Sequence, residues 1–526
     1  MIEFYIDQRA VEITPECTVT LSASLEQITN PSSIHEKSFR MRIPMTQHNR
    51  KVMGFCEQIL SPQQFNQQKH SGKIESGGSL LAYGPVKLIQ CEETRFGNAC
   101  YVIDLIIAPP GWITESRQKK LKEIAMEYNE IFSPALIQDS WTNGSAIRFL
   151  PVKRDKHTAY GQGQVVLSAL SFENYHPFVQ VKTLLETIIE AAGYRIESQF
   201  LNEAFFESLY MSGNYPPSGD AKIEPAFYSM PSVGNKVVLA SLFDHEQTQL
   251  QFIQAIGHLF GLHIYTDEWS KTVYIEPRFT FLNQTHEIDW TDKIDTNSPI
   301  LVEEPGNNHY QIETYSYKSG DATVDRWEGS HLTSFGKWDA LVENRFAKTG
   351  KREMRNPLFT ATIEEKNSLT SAENASMIVA GNRDSKESNL NFPAKIVRYA
   401  GMKELPDGQH WGWPSYGKSY PLVLFHSAGE DWFTLRFDDK DGQLGLRNYY
   451  QPLYDFINKG KKVTLNLRLS PPDMEAILYP NSANHNFRGN FVFDIRGEKI
   501  KGRLLDVSGY NPDNGGMARC TFAVEL

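Results

Sequence analysis

The sequence lacks several features that would assign a function at once. Its five cysteines form no CxxC pair, and their odd number predicts free thiols in a reducing compartment. It has no run of about 18 apolar residues, so no membrane-spanning helix is predicted. The first residues show no basic segment followed by an apolar one, so we expect no secretory signal. We expect the protein to be synthesised in the cytoplasm.

Basic residues are also in short supply. The chain has 53 Lys and Arg against 63 Asp and Glu, a net charge of −10. This balance argues against a dedicated nucleic-acid-binding protein, which usually carries a basic patch. The 22% of charged and 40% of hydrophobic residues are typical of a folded globular protein. A length of 526 residues allows three to four domains at roughly 150 residues each.

Catalytic patterns are missing as well. We expect no G-x-S-x-G nucleophile elbow, no phosphate-binding loop and no HExxH zinc motif. The adjacent acids Glu303–Glu304 and Glu364–Glu365 would point to opposite faces of a strand, so neither pair predicts an acid–base site. The sequence therefore predicts no catalytic residue and no enzyme.

Metal and cofactor sites are not predicted either. His258 and His263 are five residues apart, which does not bring two imidazoles together on one helix face, and His245 lacks a partner at helical spacing. The segment Asp439–Gly442 looks like a fragment of a calcium loop but lacks the other spaced acids, so a turn explains it better. We expect these groups to be structural or exposed.

What the sequence does contain is many strand-forming residues, with 12% aromatics. Two hairpins are predicted, Leu80–Gln90 with Ala99–Ile107, and Leu262–Thr266 with Thr272–Glu276. Apolar residues at helical spacing predict helices over 115–132 with Thr114 as the N-cap, 181–192, 247–260 and 450–458 with Pro452 in the first turn. The polar stretch 364–392 predicts a long loop or linker. The fold class is therefore mainly β with an α+β centre.

Two aromatic clusters suggest an alternative function. Trp411, Trp413 and Tyr416 form one, and Tyr449, Tyr450 and Tyr454 form the other. Exposed aromatic rings can stack on sugars, which would make the chain a carbohydrate-binding or glycan-active β-rich protein. Burial in a core or in a subunit interface is the competing interpretation.

An internal repeat is the most informative pattern. Strand Phe39–Pro44 leads into a short helical stretch and then into strands ending at Ile107, and strand Leu465–Pro471 leads through the same order of elements to Leu526. Identities are few, and chance similarity between two small β domains remains an alternative. Taken as a repeat, the pattern places one related β domain at each end of the chain.

Several segments also resemble a known family. They are Thr20–Arg50, Phe252–His263, Val273–Pro277, Ile288–Lys293 and Asn356–Phe359. Together they are similar to tail proteins of phages and prophages of Bacteroidetes, which resemble the baseplate hub of contractile tails and its tail-tip counterpart in long flexible tails.

This resemblance implies an architecture. Each subunit would supply two small tube-like β-barrels, and three subunits would form a pseudo-sixfold ring. The corresponding domains are 1–155 for the N-terminal barrel with one helix, 156–345 for the central α+β region, 346–400 for an extended linker and 401–526 for the C-terminal barrel.

The resemblance also implies a location and partners. The protein would be a homotrimer in the virion tail of a phage or injection system, joining the tail tube and distal tail proteins to a spike or fibre and contacting the tape measure protein. DNA would pass through its channel without sequence-specific binding. The chain shows no peptidase, lysozyme-like or fibre region after its last strand, so no lytic activity is expected. A cytoplasmic enzyme of unknown type is a third, less favoured alternative.

Overall fold

The chain is mainly β with a few helices, as the sequence predicts. The computed structural model describes residues 2–14, 20–24, 37–60, 64–93, 99–107, 109–128, 130–142, 144, 146–153, 159–161, 164–166, 175–212, 234, 236–237, 243, 247–268, 270–278, 287–321, 324–325, 328–329, 336–366, 376–379, 394–405, 407, 418–425, 433–438, 444–478 and 489–524. In this part of the chain no helix is long and apolar enough to cross a bilayer.

The N-terminal region forms a six-stranded sheet with the order β2-β1-β5-β6-β7-β4. Its elements are β1 Ile2–Ile6, β2 Arg9–Val11, β3 Leu21–Ser24, β4 Lys37–Pro44, α1 Gln47–Val52, β5 His70–Ser76, β6 Ser79–Glu93 and β7 Ala99–Ile107. Apolar residues alternate along these strands, so that Ile2, Phe4 and Ile6 of β1 all face the core. Strand β3 belongs to another sheet, described below.

The central region contains most of the helices. They are α2 Gly111–Gln118, α3 Pro134–Thr142, α4 Val181–Ala191, α5 Ala204–Glu207 and α6 Gln249–Phe260. The strands are β8 Ile147–Lys153, β9 Ala159–Gly161, β10 Gln164–Val166, β11 Tyr175–Gln180, β12 Arg195–Glu197, β13 Leu209–Ser212, β14 Leu262–Asp267, β15 Thr272–Pro277, β16 Glu287–Asp289, β17 Leu301–Glu303, β18 Tyr310–Ser316, β19 Lys337–Leu341, β20 Lys348–Arg355, β21 Ile363–Lys366, β22 Ser376–Val379, β23 Ile396–Glu404, β24 Ser419–Leu424, β25 Phe433–Thr434 and β26 Leu444–Gly445.

A seven-stranded sheet with the order β21-β22-β8-β11-β13-β23-β24 is the largest central element. Helices α4 and α6, with the strands β12, β14 and β15, complete a core rich in aromatic rings. Phe200, for example, packs edge-on or tilted against Phe206, Phe260 and Tyr449 at centroid distances of 5.1, 5.5 and 5.6 Å.

The helices with the clearest apolar periodicity are confirmed. Helix α6 is capped at its N-terminus by Thr248, whose side chain accepts the N–H of Gln251, and at its C-terminus by Gly261 with φ +56°. Helix α4 covers the predicted stretch, and the last helix α7, Gln451–Lys459, carries proline in its first turn. The predicted hairpins β6–β7 and β14–β15 are also present.

The predicted helix 115–132 is wrong. Helix α2 begins at Gly111, so that Thr114 lies inside it, and ends at Gln118. The backbone after α2 forms hydrogen bonds with another segment and not within a helix. Leu121 donates its N–H to the Gln247 carbonyl, and Gln249 donates its N–H to the Lys119 carbonyl. The apolar residues that suggested a helix are nevertheless buried there: Leu121, Ile124 and Phe132.

The predicted loop 364–392 is wrong where the structure describes it. Strand β21 pairs with β22. Strand β22 pairs in parallel with β8, with Ile378 opposite Val152. A polar composition favours a loop, but the neighbouring sheet edge supplies the hydrogen-bond partners that make these residues strands.

The C-terminal region returns to strands. Its elements are β27 Lys461–Arg468, α8 Pro471–Leu478, β28 Asn490–Ile495, β29 Glu498–Asn511 and β30 Met517–Val524. Their sheet has the order β16-β28-β29-β30-β27-β17, and β3 from the N-terminal region pairs with β29. The two terminal sheets share one hydrophobic core, and neither closes into a complete barrel along its described path.

The turn before β30 provides a test of this packing. Gly515 and Gly516 have φ values of +64° and +69°. A Cβ atom at Gly516 would lie 2.0 Å from the Leu469 carbonyl oxygen, whereas one at Gly515 would meet nothing within 4 Å. We expect Gly515→Ala to destabilise the protein by about 1 kcal/mol through its backbone conformation alone, and Gly516→Ala by about 3 kcal/mol or more. Urea unfolding of the two variants measures the difference, and equal losses would contradict the close approach.

Candidate interface between the terminal repeats

The histidines considered above do not form a site. His258 lies in α6, where its Nε2 is 2.9 Å from the Met354 carbonyl oxygen and its Nδ1 is 3.5 Å from the Asn356 amide. His263 lies in β14, on a different element. Burial lowers the pKa of both, to about 4 for His258, so both rings are neutral near pH 7. Within the described ranges no group of three His, Cys, Asp or Glu side chains is arranged to hold a metal.

Other candidates lie outside the described residues or serve different roles. His245, the segment Asp439–Gly442 and the aromatic segment Trp411–Tyr416 are not among the residues described. Glu303 and Glu304 are exposed, and Glu304 lies 3.5 Å from the Lys461 ammonium. The described cysteines, Cys56, Cys91, Cys100 and Cys520, are free thiols.

The tyrosine cluster is part of the central core. Tyr450 and Tyr454 are buried, with 9% and 2% of their surface exposed. Tyr450 donates its hydroxyl to the His258 carbonyl, and Tyr454 donates to Glu313 at 2.6 Å. These rings are therefore not available to stack on a sugar from solvent.

Contrary to expectation, the sequence contains one segment with the pattern of a phosphate-binding loop. Residues Gly412 to Ser419 read G-x-x-x-x-G-K-S, which is the pattern of such loops. A phosphate-binding loop leads into the N-terminus of a helix. Here Ser419 begins strand β24 and the Lys418 carbonyl accepts the N–H of Leu405, so this helix is absent where the structure describes the chain. The pattern therefore predicts no nucleotide site.

The feature that stands out is the repeat, which the structure resolves in detail. The N-terminal repeat consists of β4, α1, β5, β6 and β7, and the C-terminal repeat of β27, α8, β28, β29 and β30. Their strands have the same antiparallel order, β4-β7-β6-β5 and β27-β30-β29-β28. The order of elements predicted for the two ends of the chain is thus present in the fold.

Local details match as well. Just after the first strand of each repeat, Met45 donates its N–H to the Ala99 carbonyl and Leu469 donates to the Gly516 carbonyl, at 2.9 and 2.8 Å. The following hydroxyl caps the helix, since Thr46 accepts from the Asn49 N–H and Ser470 accepts from the Asp473 N–H.

The long strands and their hairpins agree too. Strand β6 has an irregularity between Leu88 and Gln90, and β29 has one between Leu504 and Asp506. Each long strand follows a two-residue turn with positive φ at both positions, Gly77–Gly78 in one repeat and Arg496–Gly497 in the other. The helix caps and the hairpin turns thus correspond residue by residue, whereas the irregularities of the long strands lie at different positions along them.

The two repeats contact each other through different faces. Helix α8 of the C-terminal repeat packs on β6 of the N-terminal repeat, and the Glu475 carboxylate accepts the N–H of Leu80 at 3.0 Å. The residues that flank the β5–β6 turn are buried there, Ser76 at 3% and Ser79 at 5% exposure. The contact thus joins the helix side of one repeat to the hairpin side of the other.

A strand from the N-terminal region adds a second contact between the repeats. Strand β3 leaves the N-terminal region and pairs with the second half of β29, with Ala23 opposite Val507 and Leu21 opposite Tyr510. Leu21, Val507 and Tyr510 are at most 1% exposed. This pairing covers a strand edge that would otherwise present unpaired backbone groups.

Comparisons with known proteins add little to this geometry. No family model and no curated protein matches the sequence. Two solved structures align over 99% of this chain, each with a TM-score of 0.37. One is the 43 kDa tail protein of prophage MuSo2 from Shewanella oneidensis, 7% identical and covered to 97%, and the other is the tail protein from Neisseria meningitidis MC58, 8% identical and covered to 95%. At this TM-score the likeness establishes neither a fold nor a function for the chain.

The pairing of β3 with β29 can be tested at two adjacent residues of β3. Leu21 is buried at 1% exposure, whereas Ser22 faces solvent. We expect Leu21→Ala to cost about 2–4 kcal/mol through the cavity that it leaves, and Ser22→Ala to cost almost nothing. Hydrogen exchange should accelerate at residues Asp506–Tyr510 in the first variant only. Unchanged exchange in both variants would show that β3 does not protect β29.

The buried histidine predicts a pH dependence. The pKa of His258 falls from 6.5 to about 4 on folding, so the unfolded chain takes up this proton first as the pH decreases. The contribution of the neutral His258 to the free energy of unfolding is complete above pH 6.5. This contribution, up to about 3 kcal/mol, should be lost between pH 6.5 and 4. Urea midpoints at pH 7.5, 5.5 and 4.5 measure the loss. The variant His258→Gln should lose less than the wild type, and an identical slope would assign the effect to other groups.

Proposed function

We propose that this chain is a structural protein of a phage tail, a baseplate hub that forms a homotrimeric ring between the tail tube and the spike or tip. The observation that supports this most directly is the pair of related repeats held side by side in one chain. A second support is the resemblance of several sequence segments to hub and tail-tip proteins. In this proposal the two terminal sheets are the parts that build two tube-like β-barrels in the ring.

The contact between the repeats is of the kind from which rings are built. It joins the helix side of one repeat to the hairpin side of the other, and such a heterologous contact closes into a ring if its rotation fits. A chain with two repeats supplies two positions of the ring. Three chains supply six, which matches a hexameric tube.

The proposed partners follow from this position. The ring would contact tail tube and distal tail proteins on one side and a spike or fibre protein on the other, with the tape measure protein and then DNA passing through its channel. A net charge of −10 is compatible with a channel that DNA traverses without adhering. The role is structural and not enzymatic, and it applies equally to a phage or a contractile injection system.

The carbohydrate-binding alternative has lost one of its two motivations, because Tyr450 and Tyr454 are buried. The other aromatic segment, Trp411–Tyr416, lies outside the described residues. No specific contact among the described residues favours a glycan site over the structural role.

The mass of the protein in solution tests the proposal. We expect a particle of three times 59.9 kDa by light scattering, and negative-stain images of the same sample should show a ring with a central hole and six lobes. If the protein is a monomer alone, it should form this ring when the matching tube protein is added. A compact dimer without a hole, or a monomer that stays single with the tube protein, would contradict the hub.

A further inference from the structure

Three of the described cysteines lie near one another at one end of the N-terminal sheet. Cys56 follows helix α1, Cys91 lies near the end of β6, and Cys100 lies near the start of β7. The proposed function gives these thiols no role. The side of the sheet from which each one projects decides which pair can react.

The strand register separates the three thiols. Cys91 is opposite Tyr101, and cross-strand partners share a face of the sheet. Cys100 precedes Tyr101 in β7, so it projects from the other face. The Tyr101 hydroxyl donates to the Glu57 carboxylate at 2.6 Å, which brings the segment after α1 to the Tyr101 face. Cys56, the neighbour of Glu57, therefore lies on the same side as Cys91.

The two thiols on this shared side contact each other. The Cys56 thiol donates a hydrogen bond to the Cys91 sulfur. The Cys100 thiol instead donates to the Glu92 carboxylate, at a sulfur–oxygen distance of 3.6 Å. Two sulfurs that already share a hydrogen bond need only a small further approach to reach the bonding distance of a disulfide.

We propose that Cys56 and Cys91 form a disulfide when the protein passes from a reducing to an oxidising environment. The bond ties the segment after α1 to strand β6. Its chemistry is independent of ring formation, but its setting rests on the proposed function, since a phage tail is assembled in the reducing cytoplasm and then released from the cell.

The surroundings of Cys56 hold it in position for this reaction. Its side chain packs against the terminal core. The adjacent Glu57 is held from two sides, by the Arg50 guanidinium at 2.8 Å and by the Tyr101 hydroxyl. The turn before it is closed by Phe55, which donates its N–H to the Arg50 carbonyl at 2.9 Å. Because the site is ordered before oxidation, the disulfide acts mainly by restricting the unfolded chain.

The bond forms by two thiol–disulfide exchanges with a small disulfide such as oxidised glutathione. Cys91 is exposed, so its thiolate attacks one sulfur of the reagent, forms a mixed disulfide and releases one glutathione thiolate. The Cys56 thiolate then attacks the Cys91 sulfur and releases the second glutathione. Two protein thiols are oxidised, one glutathione disulfide is reduced, and the protons lost by the protein thiols end on the two glutathione molecules.

The environment of the thiols makes this reaction slow near neutral pH. Burial raises the pKa of the Cys56 thiol to about 12 and also raises the pKa of Cys91. The negative charge of Glu57 acts on both thiols in the same direction. Only the thiolate is nucleophilic, and little of it is present at pH 7. The reduced protein therefore persists during assembly, and the bond forms during longer exposure to an oxidant.

Peptide mapping of the purified full-length protein tests the bond. Trypsin separates the three cysteines, because Lys87 precedes Cys91 and Arg95 lies between Cys91 and Cys100. After incubation with oxidised glutathione and alkylation of the remaining thiols, we expect the peptides of Cys56 and Cys91 to be linked. The mass of the linked pair should lie two hydrogen atoms below the sum of the two peptides. Cys100→Ser should form the same link, and Cys91→Ser should not.

Hydrogen exchange measures whether the bond ties the segment to the sheet. Exchange at residues 53–58 should slow by at least about tenfold when the wild type is oxidised, and dithiothreitol should reverse the change. The matched variant Cys56→Ser, treated in the same way, should show no difference. A linked wild-type protein with unchanged exchange would contradict the tie.

The outcomes separate this disulfide from the hub. No linked peptide, or a link from Cys91 to Cys100 or to a second copy, would overturn the disulfide. A protein that forms the ring without the linked peptide keeps the hub and loses the disulfide. A linked peptide in a protein that stays single with the tube protein keeps the disulfide and contradicts the hub.

Discussion

The burial of β3 against β29 is the constraint on which the terminal half of the structure depends. Each side brings what the other lacks: β29 has a free edge in its second half, and β3 is too short to form a sheet alone. Their pairing joins the two sheets, and Leu21, Val507 and Tyr510 belong to the single core that both sheets share. The contact of α8 with β6 joins the same two repeats at a second place.

The central region has a different basis for its stability. Its core is built from aromatic rings and two amphipathic helices. The terminal repeats have another core, which also includes Tyr265 and Tyr274 of the β14–β15 hairpin. The chain thus combines a pair of repeats that share one core with a central region that has another.

Local signals predicted those elements whose backbone bonds stay local. Helices α4 and α6 were predictable because their apolar residues and caps all agree. The same reasoning gave a wrong prediction at residues 119–121, because their backbone hydrogen bonds go to residues 247–249. It also missed β22, which pairs with the edge of β8. The order of the repeats was visible in the sequence, but the pairing of Glu475 with Leu80 was not, because the repeats differ at this position and only the fold brings the two residues together.

The pairing of β3 with β29 also has a consequence for biosynthesis. Its partner strand lies near the other end of the chain, so the contact has a very large sequence separation and forms late. On the ribosome the N-terminal repeat waits for nearly the whole chain before its shared core is complete. A chain that stops early lacks this shared core, because residues of β29 and β30 form part of it. A complete terminal core is thereby reserved for chains that have been translated through to β30.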